Sequence, residues 1–356
     1  MPAAGHREIR RRQRRRRVPH PRFFADRSNP LESLSAEEVF SRYRFRPDSI
    51  IYITGLIYNS LLKSKRNQAV TPILQVLTCL RYLATGCYFR EVGDLMGVSV
   101  RSVGRAVRLV CQSIFALNKQ FIKFPTGLTA MHTKAVFSNI AGFPKVLGCI
   151  DGTYIKLKKP QEHEEEFVNR KGYHSLNVQA ICDGKYRFIS MKGNMPGSVH
   201  DSRIWKLSAL RQQFDAGMHD GFLIGDSGYP CQRYLMTPFL NPSTPGQQRF
   251  NKSLYRTRVT IEQTFGIWKH RFTCLQKGIR SCPADVVEIN GTCAVLHNIG
   301  IDRHDIVDFD YIFENHQHNN ELNLQNTMPP QRDGTATRQL IVYFLFDTSQ
   351  QLTVIY

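Results

Sequence analysis

Between about residues 35 and 121 apolar positions recur every three or four residues, the period of helices that bury one face. Ser35-Ala-Glu-Glu38 reads as a capping box ahead of the first of them. Residues 50–62 and 71–85 continue the pattern, with Pro72 suited to a first helical turn. Residues 89–96, a turn at Gly97-Val98 and a run from Ser99 to Cys111 then predict a helix, a tight turn and a second helix capped by Ser99. In that second helix Val103, Val107 and Val110 share one face, and Arg101, Arg105 and Arg108 lie roughly opposite. A valine stripe backed by an arginine stripe suits a recognition helix in a DNA groove, and equally a bundle whose polar face is basic.

After a transition at 125–144 the period shortens to two. Strands are predicted at 146–151, 153–157, 176–182 and 187–191, the last two joined by a hairpin turn at Asp183-Gly184. A helix at 198–210, a strand at 221–225, a Pro-rich loop at 237–246 and helices at 258–272 and 284–299 follow. Strands first antiparallel and then interleaved with helices predict an α/β fold with a mixed sheet. Beyond about 303 the chain turns polar and should be loosely ordered, although 339–356 is apolar and β-prone without an obvious role. The expected organisation is a basic disordered tail at 1–30, a helical region of helix-turn-helix type at 31–140, an α/β domain at 141–305 and a poorly ordered C-terminal tail at 306–356.

Charge narrows the partners. Forty-eight Lys and Arg against 29 Asp and Glu give +19, which predicts attraction to polyanions, nucleic acid first and an anionic membrane second. Residues 1–22 carry about +8 of it and leave about +11 on the body. The run Arg10-Arg-Arg-Gln-Arg-Arg-Arg-Arg17 reads as a nuclear import signal or a phosphate-gripping arm, against a solvated tail without a role. Nine scattered cysteines lack any Cys-x-x-Cys, and no stretch approaches the apolar length of a membrane span, so a soluble intracellular protein with reduced thiols is expected.

Against this basic background three carboxylates attract notice. Asp226 ends the apolar run 221–225 and is followed at once by turn formers; Asp151 ends 146–150 in the same way. Glu262 lies in a helix whose buried stripe is Ile261, Phe265, Trp268 and Phe272, with Gly266 and Lys269 on Glu262's own face, where a DNA strand could pass. Two aspartates at strand ends and one helical glutamate could hold Mg²⁺ or Mn²⁺ for phosphodiester chemistry. The alternatives are ordinary: a turn aspartate before Gly152 and a solvent-facing helical acid. A rival acid is Asp201 beside His200; with Ser198 it fits a capping box, so it reads as mainly structural, with His200 possible near the site. His297 and Asn298 read as satisfied core polar groups rather than ligands.

Six ordered motifs add a resemblance: Cys149-Ile-Asp-Gly-Thr-Tyr-Ile155, Asn169-Arg-Lys-Gly-Tyr-His-Ser-Leu-Asn177, Gly197-Ser-Val-His-Asp-Ser-Arg-Ile-Trp205, Gly225-Asp-Ser-Gly-Tyr-Pro230, Val259-Thr-Ile-Glu-Gln-Thr-Phe-Gly266 and Val295-Leu-His-Asn298. From about Ser35 to Arg303 the chain resembles PIF/Harbinger transposases and their domesticated relatives. The resemblance implies an RNase H-like DDE nuclease domain with a metal-binding catalytic triad of Asp151, Asp226 and Glu262. The 35 residues between Asp226 and Glu262 are similar to the spacing common among DDE recombinases. It further implies a helix-turn-helix region matching 89–111, a Myb/SANT-like DNA-binding partner that aids nuclear import, a nuclear location with a cytoplasmic pool, and nuclease activity without autonomous transposition. Lys156, Arg170 and Lys171 become candidate contacts to the DNA backbone. The rival function is a catalytically silent DNA-binding or adaptor protein working through that partner. The Arg-rich start and the tail after about 305 have no counterpart in the family pattern.

Overall fold

The computed structural model describes residues 29–62, 70–305 and 328–347. The Arg10–Arg17 run, nearly all of the expected basic tail, and residues 306–327 and 348–356 of the expected C-terminal tail lie outside the described residues.

The N-terminal part is helical: α1 (Pro30–Ser33), α2 (Ala36–Tyr43), α3 (Pro47–Leu61), α4 (Pro72–Thr85), α5 (Phe89–Met96), α6 (Val100–Phe115), α7 (Asn118–Phe121) and α8 (Gly127–Ala141). Ser35 caps α2 reciprocally with Glu38, whose backbone N–H donates to Ser35 Oγ (3.2 Å) while the Ser35 N–H donates to Glu38 Oε2 (3.1 Å). Gly97 closes α5 in the left-handed region at φ +61°, and Ser99 caps α6. Val103, Val107 and Val110 are buried where α6 packs against α4 and, further on in the chain, α14 (Pro283–Asp302).

The α/β part holds β1 (Val146–Lys156), α9 (Glu164–Phe167), β2 (Ser175–Cys182), β3 (Phe188–Pro196), α10 (Asp201–Lys206), α11 (Ala209–Asp215), β4 (Phe222–Ile224), β5 (Leu235–Met236), α12 (Pro245–Arg271), α13 (Cys274–Lys277) and α14. The five strands form one mixed sheet in the order β3-β2-β1-β4-β5; β1, β2 and β3 pair antiparallel, and β4 and β5 run parallel to β1. Alternation along the strands sends Cys149, Ile155, Val178 and Ala180 into the core under α12, where Ile261, Phe265, Trp268 and Phe272 form the expected buried stripe. Leu147, Ile150 and Ile181 face a second core with Trp205, Phe214 and Tyr234.

The helical part shares the larger of these cores. Arg271, wholly buried on α12, joins the two: its guanidinium lies 5.1 Å over the Phe45 ring, donates to Arg44 O (2.9 Å) and meets Asp305 O. The Arg46 N–H donates to Asp305 Oδ1 at 3.2 Å, so both ends of the joint are hydrogen-bonded.

Several expectations are corrected. Residues 146–156 form one strand rather than two, because β2 pairs continuously across Asp151 and Gly152. The single helix expected at 198–210 breaks at Leu207, and Ser208 caps a new one, accepting from Arg211 N (3.1 Å). Ser198 caps nothing: helix α10 begins after His200 without a side-chain cap, and the Ser198 N–H donates to Glu166 O. Part of the expected Pro-rich loop supplies the start of α12, capped by Thr244. In the expected loose tail, α15 (Arg332–Ile341) and a π-helical turn (Val342–Phe346) are packed against α12 and β5. The apolar residues there are helical rather than β: Ile341 and Val342 are buried, and Phe346 meets Phe143 and Phe250.

Candidate active site

Parallel pairing of β1 with β4 runs from Val146↔Phe222 to Cys149↔Ile224, so Asp151 and Asp226 each emerge two residues beyond the same rung. For β4 that is the carboxyl end of the strand, where open sheets place their sites. For β1 it is where the parallel pairing stops, and Asp151, expected at a strand end, lies inside a strand that β2 carries on to Lys156. Asp151 points to the α12 side: its Oδ1 accepts from Gly152 N (2.7 Å) and its Oδ2 from Arg258 Nη1 (3.1 Å). The other Arg258 nitrogen meets Glu262 Oε1, one turn further along α12. Asp226 is braced by its own turn, its Oδ1 accepting from Gly228 N at 3.0 Å.

Asp201 approaches from the opposite face of the sheet. Asn177 Nδ2 donates to its Oδ1 (2.8 Å) and Gln179 Nε2 to its backbone oxygen (2.9 Å), while the same Gln179 nitrogen also donates to the buried Tyr229 hydroxyl (3.0 Å). The carboxylate lies against Gly152: a β-carbon there would stand 2.1 Å from Asp201 Oδ1. Only glycine permits this approach. His200 sits exposed beside it at the N-cap of α10.

The electrostatics follow. Burial pushes the Asp151 carboxyl up to about 8, with Asp226 and Asp201 adding to the push and Arg258 opposing it. Burial also raises Asp201, with Asp226 adding to it and the Asn177 hydrogen bond opposing. Asp151, Asp201 and Asp226 thus feel one another, and Glu262 is tied to Asp151 through Arg258.

Their oxygens are the hard donors a divalent cation prefers. Among the described residues no group of three or more His, Cys, Asp or Glu side chains is arranged to hold a metal ion. Between Asp151 and Glu262 the positive charge is the Arg258 guanidinium, so the donor chemistry fits a hard cation where an arginine now neutralises it.

The other candidates are placed variously. Lys269 is half-buried; its Nζ donates to Thr153 Oγ1 (2.6 Å) and Tyr154 O (3.2 Å), and burial, with Lys171 nearby, holds its ammonium down to about 8. Lys156 is exposed 5.6 Å from the Tyr173 ring, and the exposed Arg170 lies 6.0 Å from the Tyr154 ring. Lys171 is exposed on the same loop. Arg101, Arg105 and Arg108 are exposed on α6, well apart from the carboxylates in the chain; Arg105 donates to Ser102 Oγ (3.4 Å), and Arg108 pairs with Asp285 of α14 at 3.7 Å. His297 and Asn298 lie in the core, His297 bonded to Tyr186 O (2.7 Å) and kept neutral by burial, which holds it down to about 3. Asn298 Oδ1 accepts from Phe188 N at 2.9 Å.

Sequence reasoning missed Arg258, Asn177 and Gln179. Arg258 stands one turn before Glu262 and could have been found by that spacing. Asn177 and Gln179 interrupt an otherwise apolar strand, a signal that a polar group waits on that face.

A sheet that delivers aspartates from adjacent parallel strands toward a helical glutamate belongs with the endonucleases of the DDE superfamily, whose family model matches residues 150–298. Over 278 residues the chain is 35% identical to the protein named Putative nuclease HARBI1 of Homo sapiens, covering 76% of this chain and 80% of that one. The protein of the same name in Xenopus laevis is 30% identical over 282 residues, with 78% and 81% covered. A protein named Probable transposase for insertion sequence element IS702, of Microchaete diplosiphon, is 24% identical over 220 residues, covering 56% and 72%. The chain belongs to the family of Harbinger transposase-derived nucleases. No solved structure matches it.

Proposed function

We propose that the chain is a divalent-metal-dependent endonuclease that acts on DNA phosphodiester bonds through an RNase H-like domain, without autonomous transposition. The observation that carries this reading is the Arg258 bridge from Asp151 to Glu262, with Asp226 emerging from the neighbouring parallel strand beyond the same rung and adding to the push that holds Asp151 up to about 8. Buried carboxylates that repel one another invite a cation. Asp151, Asp226 and Glu262 would hold Mg²⁺ or Mn²⁺, which supplies an activated water and charge stabilisation at the attacking and leaving oxygens. Asp201, fixed by Asn177 and Gln179, holds Asp226's side of the cluster negative. Arg258 neutralises Asp151 and Glu262 until the site is loaded and is then free to meet a phosphate.

Lys156, Arg170, Lys171 and Lys269 ring this edge as candidate backbone contacts, and Arg101, Arg105 and Arg108 offer a second basic face within a helix-turn-helix-like region. A Myb/SANT-like DNA-binding partner and a nuclear location with a cytoplasmic pool complete the proposal; the Arg10–Arg17 run and the family resemblance support them.

The test supplies Mg²⁺ or Mn²⁺ with supercoiled DNA and compares wild type with Asp226→Asn and Glu262→Gln. Nicking by wild type that both variants lose is the expected result. Binding without nicking by wild type would favour the silent DNA-binding or adaptor protein instead.

A further inference from the structure

Strand β1 outruns its parallel partner. Its pairing with β4 ends at Cys149↔Ile224, while β2 stays paired with it to Lys156. On the β4 side the next partner is the segment after α13, where Ile279 N donates to Lys156 O (3.0 Å) and Lys158 N to Ile279 O (3.0 Å). Between these two pairings lies a stretch of strand edge that begins at Asp151, with Lys269 reaching it through Thr153 Oγ1 and Tyr154 O.

At the far end of this edge, between α4–α6 and residues 274–281, is a cavity of about 540 Å³. Its walls include Tyr88, Phe89, Arg90, Glu91 and Arg280. Tyr88 is 57% exposed, and the Arg280 guanidinium lies 3.8 Å over its ring. Lys156 links cavity and edge, its stem 3.3 Å from where a β-carbon on Gly278 would stand and its ammonium 5.6 Å from the centre of the Tyr173 ring. Aromatic rings paired with cations therefore recur from Tyr154 with Arg170, through Tyr173 with Lys156, to Tyr88 with Arg280.

We propose that this cavity is a binding pocket for an unpaired nucleotide of the DNA whose phosphodiester lies at Asp151. The proposal rests on the nuclease reading above and adds the form of its substrate. Cations alternating with aromatic faces are the means by which proteins hold single strands, the backbone on the charges and the bases on the rings. Asp151 to Lys156 is about 16 Å of strand, about five nucleotides at the 3.4 Å rise of a stacked strand. A base stacked on Tyr88 would place its neighbouring phosphates near Arg280 and Arg90, and the Glu91 carboxylate could accept from an exocyclic amino group. A paired base cannot do this, because its faces and its Watson–Crick edge are occupied within the duplex.

The test measures binding of the full chain to labelled DNA by anisotropy in EDTA, where no cutting occurs. Blunt duplex is compared with the same duplex bearing a single-stranded extension of about five nucleotides, on either the 3′ or the 5′ strand. Wild type should bind one extended form about 5- to 150-fold more tightly than the blunt form, the range for stacking one base. Tyr88→Ala and Arg280→Ala should lose that gain and keep their affinity for blunt duplex, and Tyr88→Phe should retain the gain. The proposal is overturned if neither extension tightens wild-type binding, if Tyr88→Ala keeps the gain, or if it weakens blunt and extended forms alike. Failure of the nuclease reading would appear separately, as absence of nicking in Mn²⁺.

Discussion

Arg258 Nη1 stands 3.1 Å from Asp151 Oδ2 while Nη2 meets Glu262 Oε1, so one guanidinium bridges carboxylates from a strand and a helix. All three side chains are at least 73% covered, since their exposures are 17%, 18% and 27%. Removing the arginine leaves the Glu262 carboxylate without its partner, facing Asp151 where water reaches both poorly. Arg258→Met should therefore lower stability in EDTA by about 2–4 kcal/mol, somewhat under the usual loss for breaking a buried pair because water still reaches the site. Millimolar Mn²⁺ should restore more stability to this variant than it adds to wild type, because the ion takes over the arginine's charge. Denaturant titration with and without Mn²⁺ checks both halves, and an equal response of the two proteins to the ion would refute the exchange of cations.

The raised Asp151 carboxyl makes stability depend on pH with a definite sign. In the folded chain it titrates at about 8, against 3.8 without its surroundings. Between those values the folded state keeps a proton that the unfolded state has released. The stability tied to it is full below 3.8 and is lost as pH rises toward about 8. Asp201 and Asp183 are raised as well and contribute with the same sign. In metal-free buffer the melting temperature should fall across this window, and Asp151→Asn should flatten the fall. Mn²⁺ should also flatten it while displacing a proton near pH 7, which isothermal titration in buffers of different ionisation enthalpy would detect.

Gly152 and Asp201 offer a steric test. A β-carbon at 152 would stand 2.1 Å from Asp201 Oδ1, and Asp201 is held in place by Asn177 and Gln179. Gly152→Ala should cost about 1–3 kcal/mol, the usual range for overpacking. If the clash is the cause, Gly152→Ala combined with Asp201→Ala should lose less stability than the sum of the two single changes, by at least about 0.5 kcal/mol. Additive losses would mean that the alanine is rejected for another reason.

What could be read from the sequence follows the range of the interactions. Asp226 just past the end of β4, and Glu262 beside the stripe Ile261–Phe265–Trp268, were legible because each rests on a local run of apolar residues, whereas Asp151, expected at a strand end, lies inside β1 because its cross-strand partner Ala180 carries the pairing on to Lys156. The Arg258 bridge was not, since its partner Asp151 is 107 residues away and no period records that distance. Ser198 failed as a cap for a related reason. Asp201, its expected capping partner, instead binds Asn177, 24 residues back, and the helix starts after His200. The apolar residues near 341 are compatible with a strand or a buried helix, and only packing on Phe143 and Phe250 decides.

That late helix also bears on the site. Met328 N donates to Ser227 O (3.1 Å), next to Asp226, and Gln331 N donates to Cys231 O (3.0 Å). Arg338, buried on α15, donates to Thr237 O (3.0 Å) and Pro238 O (2.9 Å) with its guanidinium 3.9 Å over the Phe239 ring. The loop that leaves Asp226 and the residues after β5 are thereby fastened from outside the sheet. Arg338→Ala strips two buried carbonyls of a charged donor, so a loss of about 1.5–3 kcal/mol is expected. Because the fastened segment starts at Asp226, amide hydrogen exchange across 227–239 should quicken while β1 and β2 stay protected, and the Mn²⁺ concentration needed for nicking should rise. Faster exchange spread evenly over the whole sheet would instead mean that Arg338 serves global stability and does not position Asp226.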